Sequence, residues 1–408
     1  MKLLLSLAVT ALASAAQWKA GAAKVSITPT EPVWMAGYGS RTKPHQSVLG
    51  QIYAKALAIE DAAGTTAVLV TADLSGFPGA FTQRLADRVR TKFGLSRDRL
   101  WLNASHNHSG PVTSDYIDTR PGFKIPASER PAAARYTASL EEKLIGVIGR
   151  ALESRVPATL DFQQGFAGFA VNRRRVVMGR QLPGPVDHDL PVLAVHGAGG
   201  ALIAVVAGYS CHATVTSDYQ LSGDWPGAGQ EEIERMHPGA TALFVQNTGA
   251  DANPYPRGAH ELAAQYGRLF ATAADQTLKS KMRPVDGPLI TAFETVAVPF
   301  QKGATYPYAV QVWRLGPELT FIVLAGEVVV DYGLRLRKQY GWNNTWVAGY
   351  SNDVFGYIPS LRVLREGGYE GGEAFRFSSL PGPFAEPVEE IIVAKVGELM
   401  ERTARKSP

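Results

Sequence analysis

Three histidines and a glutamate stand where a metal ion could be held. Ser105-His106-Asn107-His108-Ser109-Gly110-Pro111 follows the apolar run 100–104, Ser210-Cys211-His212 follows the run 202–209, and Gly326-Glu327 closes the run 320–325. Two residues apart, His106 and His108 would share a face on a strand, whereas just past its end one can turn inward while the other reaches a second position. With His212 and Glu327 they offer the nitrogen and oxygen donors that zinc uses in hydrolases, where one position stays open for water. Read alone, the His-x-His pair fits hydrogen-bonded core histidines equally well. His45, His188, His196, His237 and His260 lack a comparably concentrated setting.

Three further apolar runs end in the same way. Residues 66–72 lead into Asp73, 241–246 into Asn247-Thr248-Gly249-Ala250-Asp251, and 345–350 into Ser351-Asn352-Asp353. Ligands of α/β sheets bind beyond the carboxyl ends of strands, so these ends are where a site is expected. Competing chemistries lack a motif: there is no G-x-S-x-G elbow, no phosphate-binding G-x-x-x-x-G-K-[ST] loop and no H-E-x-x-H helix. Cys211 could be a thiolate beside His212 but reads better as a small buried hydrophobe. Asp187-His188-Asp189 reads as a solvated turn, and Asp73 as a strand-end cap or a support for a metal-binding histidine.

The elements that must position these residues follow from apolar periodicity. Strands are predicted at 52–60, 66–72, 100–104, 191–196, 202–209, 241–246, 289–300, 320–325 and 345–350. Helices are predicted at 79–93, 136–154, 228–236, 261–279, 328–340 and 387–402; in the first, Phe81, Leu85, Val89 and Phe93 recur every four residues and Gly94 offers a stop. Interleaved strands and helices with hairpin-like neighbours predict an α/β fold, a mixed sheet flanked by helices with the metal site at strand C-terminal ends. The long stretches 109–130 and 350–387 read as functional loops, the second because it is rich in aromatic residues.

Composition sets the outer bounds. The chain has 408 residues, 45% of them hydrophobic and 19% charged, which excludes a disordered tail. Forty-one basic and thirty-seven acidic residues give a net charge of +4, with no basic cluster suited to a phosphate backbone. Nucleic acid is therefore not an expected partner, whereas transient contact with an anionic membrane surface is compatible with this charge. Lys2, the apolar run 3–12 and the small residues Ala13, Ser14, Ala15 and Ala16 read as a cleaved signal peptide, residues 1–15, for a secreted or periplasmic protein. A single cysteine allows no internal disulfide.

A set of short motifs runs in order along nearly the whole mature chain. They are Met35-Ala36-Gly37-Tyr38-Gly39, Asp73-Leu74, Asn103 through Pro111, Val171-Asn172-Arg173, His212-Ala213-Thr214 and Gly223-Asp224-Trp225-Pro226-Gly227. Ala325-Gly326-Glu327, Gly349-Tyr350-Ser351-Asn352, Tyr357-Ile358 and Tyr369-Glu370-Gly371 complete the set. In this the chain resembles the amidohydrolase domain of the neutral/alkaline, non-lysosomal ceramidase family. The resemblance implies a zinc-dependent amidase in which His106, His212, Glu327 and Tyr357 hold the metal, His108 transfers protons, and Arg173 and Tyr369 position or polarise the amide carbonyl. Without it, Arg173-Arg174-Arg175 would read as a solvated basic turn and the two tyrosines as packing.

Two departures from the family qualify the substrate. Ala252 stands where the family has a serine sometimes assigned as nucleophile, which leaves metal-activated water as the attacking group. Residues 16–408 read as the catalytic domain alone, without the C-terminal β-sandwich of longer family members. The expected activity is hydrolysis of the amide of an N-acyl lipid, ceramide first. The alternatives are another N-acyl or ester compound of the cell envelope, or a non-catalytic exported binding protein on the same fold. The oligomeric state is left open.

Overall fold

The structure, a computed structural model, describes residues 17–174 and 184–405. The expected signal peptide and Arg175 lie outside the described residues. One sheet contains β1 (Trp18–Ser26), β2 (Tyr53–Asp61), β3 (Thr66–Ala72), β4 (Leu100–Ala104), β5 (Val156–Phe166), β6 (Asp189–Gly197), β7 (Leu202–Tyr209), β8 (Thr241–Gln246) and β9 (Arg283–Val285). Its order is β8-β7-β6-β5-β1-β2-β3-β4, with β9 beside β5. The β7/β8 and β3/β4 pairs are parallel and the rest antiparallel, so the sheet is mixed as expected.

A second sheet takes β10 (Leu289–Pro299), β11 (Thr305–Leu315), β12 (Leu319–Leu324) and β13 (Thr345–Ala348) in chain order, its last pair parallel. The two sheets pack face to face: Leu57, Leu69, Trp101, Val206 and Leu243 cluster with Trp313, Phe321, Val323 and Trp346. Helices cover the outer faces. α1 (Gly79–Phe93), α2 (Ser114–Thr119) and α3 (Arg130–Glu153) precede α4 (Asp224–Met236) and α5 (His260–Leu278) in the chain. α6 (Val330–Tyr340), α7 (Leu361–Glu366), α8 (Gly368–Gly371) and α9 (Val388–Arg405) follow. Phe81, Leu85 and Val89 of α1 with Leu140, Leu144 and Ile148 of α3 meet Ala54, Ala56, Val68 and Val70. Ile233 and Phe270 of α4 and α5 meet Val192, Val205 and Phe244, while Leu336, Ile392 and Val396 cover Val310, Val312 and Ile322.

This layering explains the sequence pattern. In β3, Val68 and Val70 face the helices while Ala67 and Leu69 face the second sheet, so successive residues are buried on opposite sides and the strand reads as one apolar run. β3, β4, β7, β8 and α1 coincide with their predicted spans, and α1 ends where Gly94 adopts φ 70° and donates its N–H to Arg90 O. β1, β5 and β11 have no sequence counterpart. β1 is Trp-Lys-Ala-Gly-Ala-Ala-Lys-Val-Ser, too short of large apolar groups to announce itself, and its order comes from a nine-residue register with β2. Its Gly21 is required by close approach of α3, since a Cβ there would lie 2.4 Å from Ala151 O.

The strand ends meet through one amide. The Asn103 side chain, on β4, accepts from Gln246 N at the end of β8 (2.8 Å) and donates to Gly349 O just past β13 (2.9 Å). Asn247 and Ala348 form a further bridge between the sheets at the same place. The loops carrying His106, Glu327 and Tyr350 are thereby drawn to one point.

Candidate metal centre and active site

His106 lies two residues beyond the end of β4. It adopts φ 56°, which turns its ring out of the strand line, and its Nδ1 lies 2.6 Å from Ser75 O. His212, beyond β7, sets Nδ1 2.8 Å from Gly249 O. A carbonyl oxygen can only accept, so both rings carry their proton on Nδ1 and present a bare Nε2. Those lone pairs point at the same carboxylate oxygen: Glu327 Oε2 is 3.1 Å from His106 Nε2 and 3.7 Å from His212 Nε2. Glu327 is 2% exposed, and its Oε2 has no hydrogen-bond donor.

Three buried lone-pair groups facing one another without a proton between them are unfavourable unless a cation sits among them. The donor set of imidazole and carboxylate suits a divalent metal, and ring nitrogens of His106, His108 and His212 lie within 4.8 Å of one another. Burial would raise the Glu327 carboxyl, but its polar neighbours, the Arg120 guanidinium among them, hold it well below its ordinary range. Burial, reinforced by Arg173, takes His212 down to about 3; burial with His106 and His212 takes His108 well below 6.5. Both rings are neutral at physiological pH, the form that ligates.

Tyr357 reaches the cluster through local pairing. Its short strand Tyr357–Ile358 runs parallel to Glu327–Val328, which sets the phenol oxygen 3.5 Å from His212 Nε2 and the two rings stacked. Burial pushes this phenol well above 10, although Arg173, donating to it at 2.9 Å, works in the opposite direction. Arg173 is not in a solvated turn: its Nε donates to Glu370 Oε1 at 2.7 Å, and its backbone N–H to Asp251 O. Tyr369 packs edge-on against Tyr357, its phenol pushed up to about 12 by burial and then by Glu327.

His108 differs from the other two histidines. Its Nε2 is 3.0 Å from His106 Nε2, its Nδ1 has no partner, and it borders a cavity of about 600 Å³ that Arg173, Tyr357 and Tyr369 also line. Gly37, at φ +94°, lets the backbone pass beside this ring, where a Cβ would lie 2.4 Å from its Cγ. Of the seven residues singled out in the sequence, His108, Arg173, Tyr357 and Tyr369 line this cavity, and His106, His212 and Glu327 are buried directly behind them.

Other candidates fall outside it. Cys211 is buried in the core beneath α4, and burial raises its thiol well above the ordinary value. Asp73 accepts from Tyr53 N and Gln230 Nε2, a strand-end cap. Asp187 is no solvated turn residue; it is buried and pairs with Arg337 at 2.7 Å, because the chain must enter β6 beneath α6. His196, His237 and His260 pair with Asp161, Asp275 and Asp218. Ala252 is buried, and its carbonyl accepts from His212 N.

Sequence reasoning missed Arg120, Tyr350 and Glu370. Arg120, from the 109–130 loop, donates to Glu327 Oε1 at 3.3 Å and to Val354 O, and so supports the outer carboxylate oxygen. Tyr350 lays its ring 4.6 Å from that of His106. Glu370 binds Arg173 and Arg174 together. Tyr350 and Glu370 stand within the short motifs Gly349-Tyr350-Ser351-Asn352 and Tyr369-Glu370-Gly371 but had no role assigned, and nothing in the sequence marks Arg120.

No protein-family model and no curated protein sequence matches the chain. Solved structures do: the crystal structure of neutral ceramidase from Pseudomonas aeruginosa superimposes with a TM-score of 0.77 at 18% identity, over 95% of this chain and 75% of that one. The fold is that of neutral ceramidase. A ceramidase complexed with C2 aligns likewise, with a TM-score of 0.76 and 17% identity over 94% of this chain and 76% of that one. At these identities the likeness is one of fold, and the neutral ceramidase architecture accounts for both sheets and their helical covers. No helix among the described residues is long and apolar enough to cross a membrane.

Proposed function

We propose that the protein is an exported zinc-dependent amidohydrolase that cleaves the linear amide of an N-acyl compound by attack of water, with ceramide the first substrate to try. The observation that carries this reading is the convergence of His106 Nε2, His212 Nε2 and Glu327 Oε2 directly behind His108 and Tyr357, which line a substrate-sized cavity. His106, His212, Glu327 and Tyr357 are the residues that would hold the ion. A divalent ion bound there lowers the pKa of water to about 7 and so makes a nucleophile available near neutrality.

The chain's own groups supply the remaining work. Arg173, fixed by Glu370, and Tyr369 present N–H and O–H donors to the amide oxygen, where negative charge develops. His108, which lines the cavity and has no partner on Nδ1, accepts the proton that the attacking water loses and returns it to the leaving nitrogen as the C–N bond breaks. The products are a carboxylic acid and an amine. With alanine at position 252 the chain has no hydroxyl at the place of the family's serine.

The lining favours a second substrate reading, an N-acyl or ester compound of the envelope other than ceramide. Among the described residues, no Leu, Ile, Val or Met lines the cavity; its apolar surface comes from the rings of Tyr38, Tyr357 and Tyr369 and is mixed with four arginines, so a long acyl chain has no dedicated aliphatic channel there. The test is fatty acid release from ceramide and from shorter, more polar amides, with bound metal measured by elemental analysis and removed by chelator. Activity that survives complete metal removal overturns the mechanism; bound zinc without turnover on any amide or ester favours a binding protein.

A further inference from the structure

The arginines of the cavity fall into two groups. The inner ones are neutralised: Arg173 by Glu370 at 2.7 Å, Arg174 by Glu370 at 2.8 Å and Glu366 at 3.0 Å. Arg257 and Arg376 line the same cavity and lie nearer the solvent, yet neither forms an ion pair with any described residue. The residues outside the description contain no Asp or Glu, so none of them supplies a side-chain carboxylate. Arg376 is held instead by ring faces, 4.9 Å from the centroid of Phe377 and 5.9 Å from that of Tyr369. Cation–π contact of this kind does not use up the N–H donors of the guanidinium.

One acidic lining residue, Glu373, is also without a cationic partner among the described residues and offsets part of this charge. With Arg173 and Arg174 balanced by Glu370 and Glu366, the lining keeps Arg257 and Arg376 against Glu373, an excess of one positive charge. A concave surface with that excess, without aliphatic lining among the described residues, focuses a positive potential on the path to His108 and Tyr357. Guanidinium forks match carboxylate and phosphate oxygens bidentately.

We propose that the substrate of this site is an N-acyl amide bearing an anionic group, a carboxylate or a phosphate ester, which Arg257 and Arg376 seat at the mouth of the cavity while the amide reaches His108. This rests on the amidohydrolase reading and specifies its substrate class. The anion is not transformed; it orients the molecule and raises its local concentration.

The experiment uses the metal-loaded protein and three probes with one acyl chain: N-octanoylethanolamine, N-octanoylglycine and N-octanoylethanolamine phosphate. Binding is followed by titration calorimetry and turnover by octanoate release, for the parent protein and for R257Q and R376Q. The parent should bind at least one charged probe about tenfold more tightly than the neutral one, the scale of one charge-assisted contact. Each variant should shrink that difference to threefold or less, and added salt should erode it in the parent. Preference for the carboxylate over the phosphate, or the reverse, identifies which anion the site takes. Equal binding of all three probes, or a preference that both variants keep, overturns the inference. Preferential binding without octanoate release leaves the anion site standing and counts against the amidohydrolase reading, so the two failures are distinct.

Discussion

His106 and His108 are neighbours in sequence and 3.0 Å apart at Nε2, yet the proposed mechanism gives them different work, and substitution separates them. The His106 proton is committed to Ser75 O, which leaves Nε2 as a dedicated donor toward the Glu327 side; nothing outside the cluster commits the His108 Nδ1. On that proposal, replacing His106 by alanine removes a direct ligand and leaves the buried Glu327 Oε2 facing only His212, at 3.7 Å. Changing an outer partner of a metal ligand costs about 10–100-fold in affinity, so loss of the ligand itself should exceed ~100-fold and strip the metal during dialysis. His108→Ala should keep the metal and lose turnover by ~10²–10⁴. That corresponds to about 2.7–5.4 kcal/mol of barrier. The assay is zinc per protein by elemental analysis on dialysed samples, beside kcat on an amide substrate. Metal lost from the His108 variant and kept by the His106 variant would refute the assignment; full activity in both removes the motif from the mechanism.

Three further outcomes follow from the same geometry. Arg120→Met takes the N–H donor from Glu327 Oε1, and zinc affinity measured by competition with a chelating dye should fall about 10–100-fold. Gly37→Ala places a methyl against the His108 ring at a backbone φ of +94°, so kcat should fall by about tenfold or more while zinc content is unchanged, because neither His106 nor His212 is touched. Trp346→Ala empties a fully buried site between the two sheets and removes the hydrogen bond to Asn247 Oδ1 at 2.8 Å; denaturant titration should show a loss of about 3–5 kcal/mol.

What the residues alone determine is local. β3, β4, β7 and β8 are legible because each is buried on both faces and must be apolar throughout, and a polar residue then marks where the sheet stops. That rule places His106, His212 and Glu327 at strand ends, and the order of short motifs adds His108, Arg173, Tyr357 and Tyr369. Tertiary structure decides the rest. β1 and β5 lack a strong pattern because partner strands, not their own side chains, stabilise them. The division into two packed sheets leaves no mark on the sequence, since a residue buried against a helix and one buried against a sheet are both simply apolar. Arg120 and Glu327 are 207 positions apart, and Arg173 and Glu370 are 197 apart. Their contacts depend on which strand ends Asn103 ties together, and so on the path of the whole chain rather than on any segment of it.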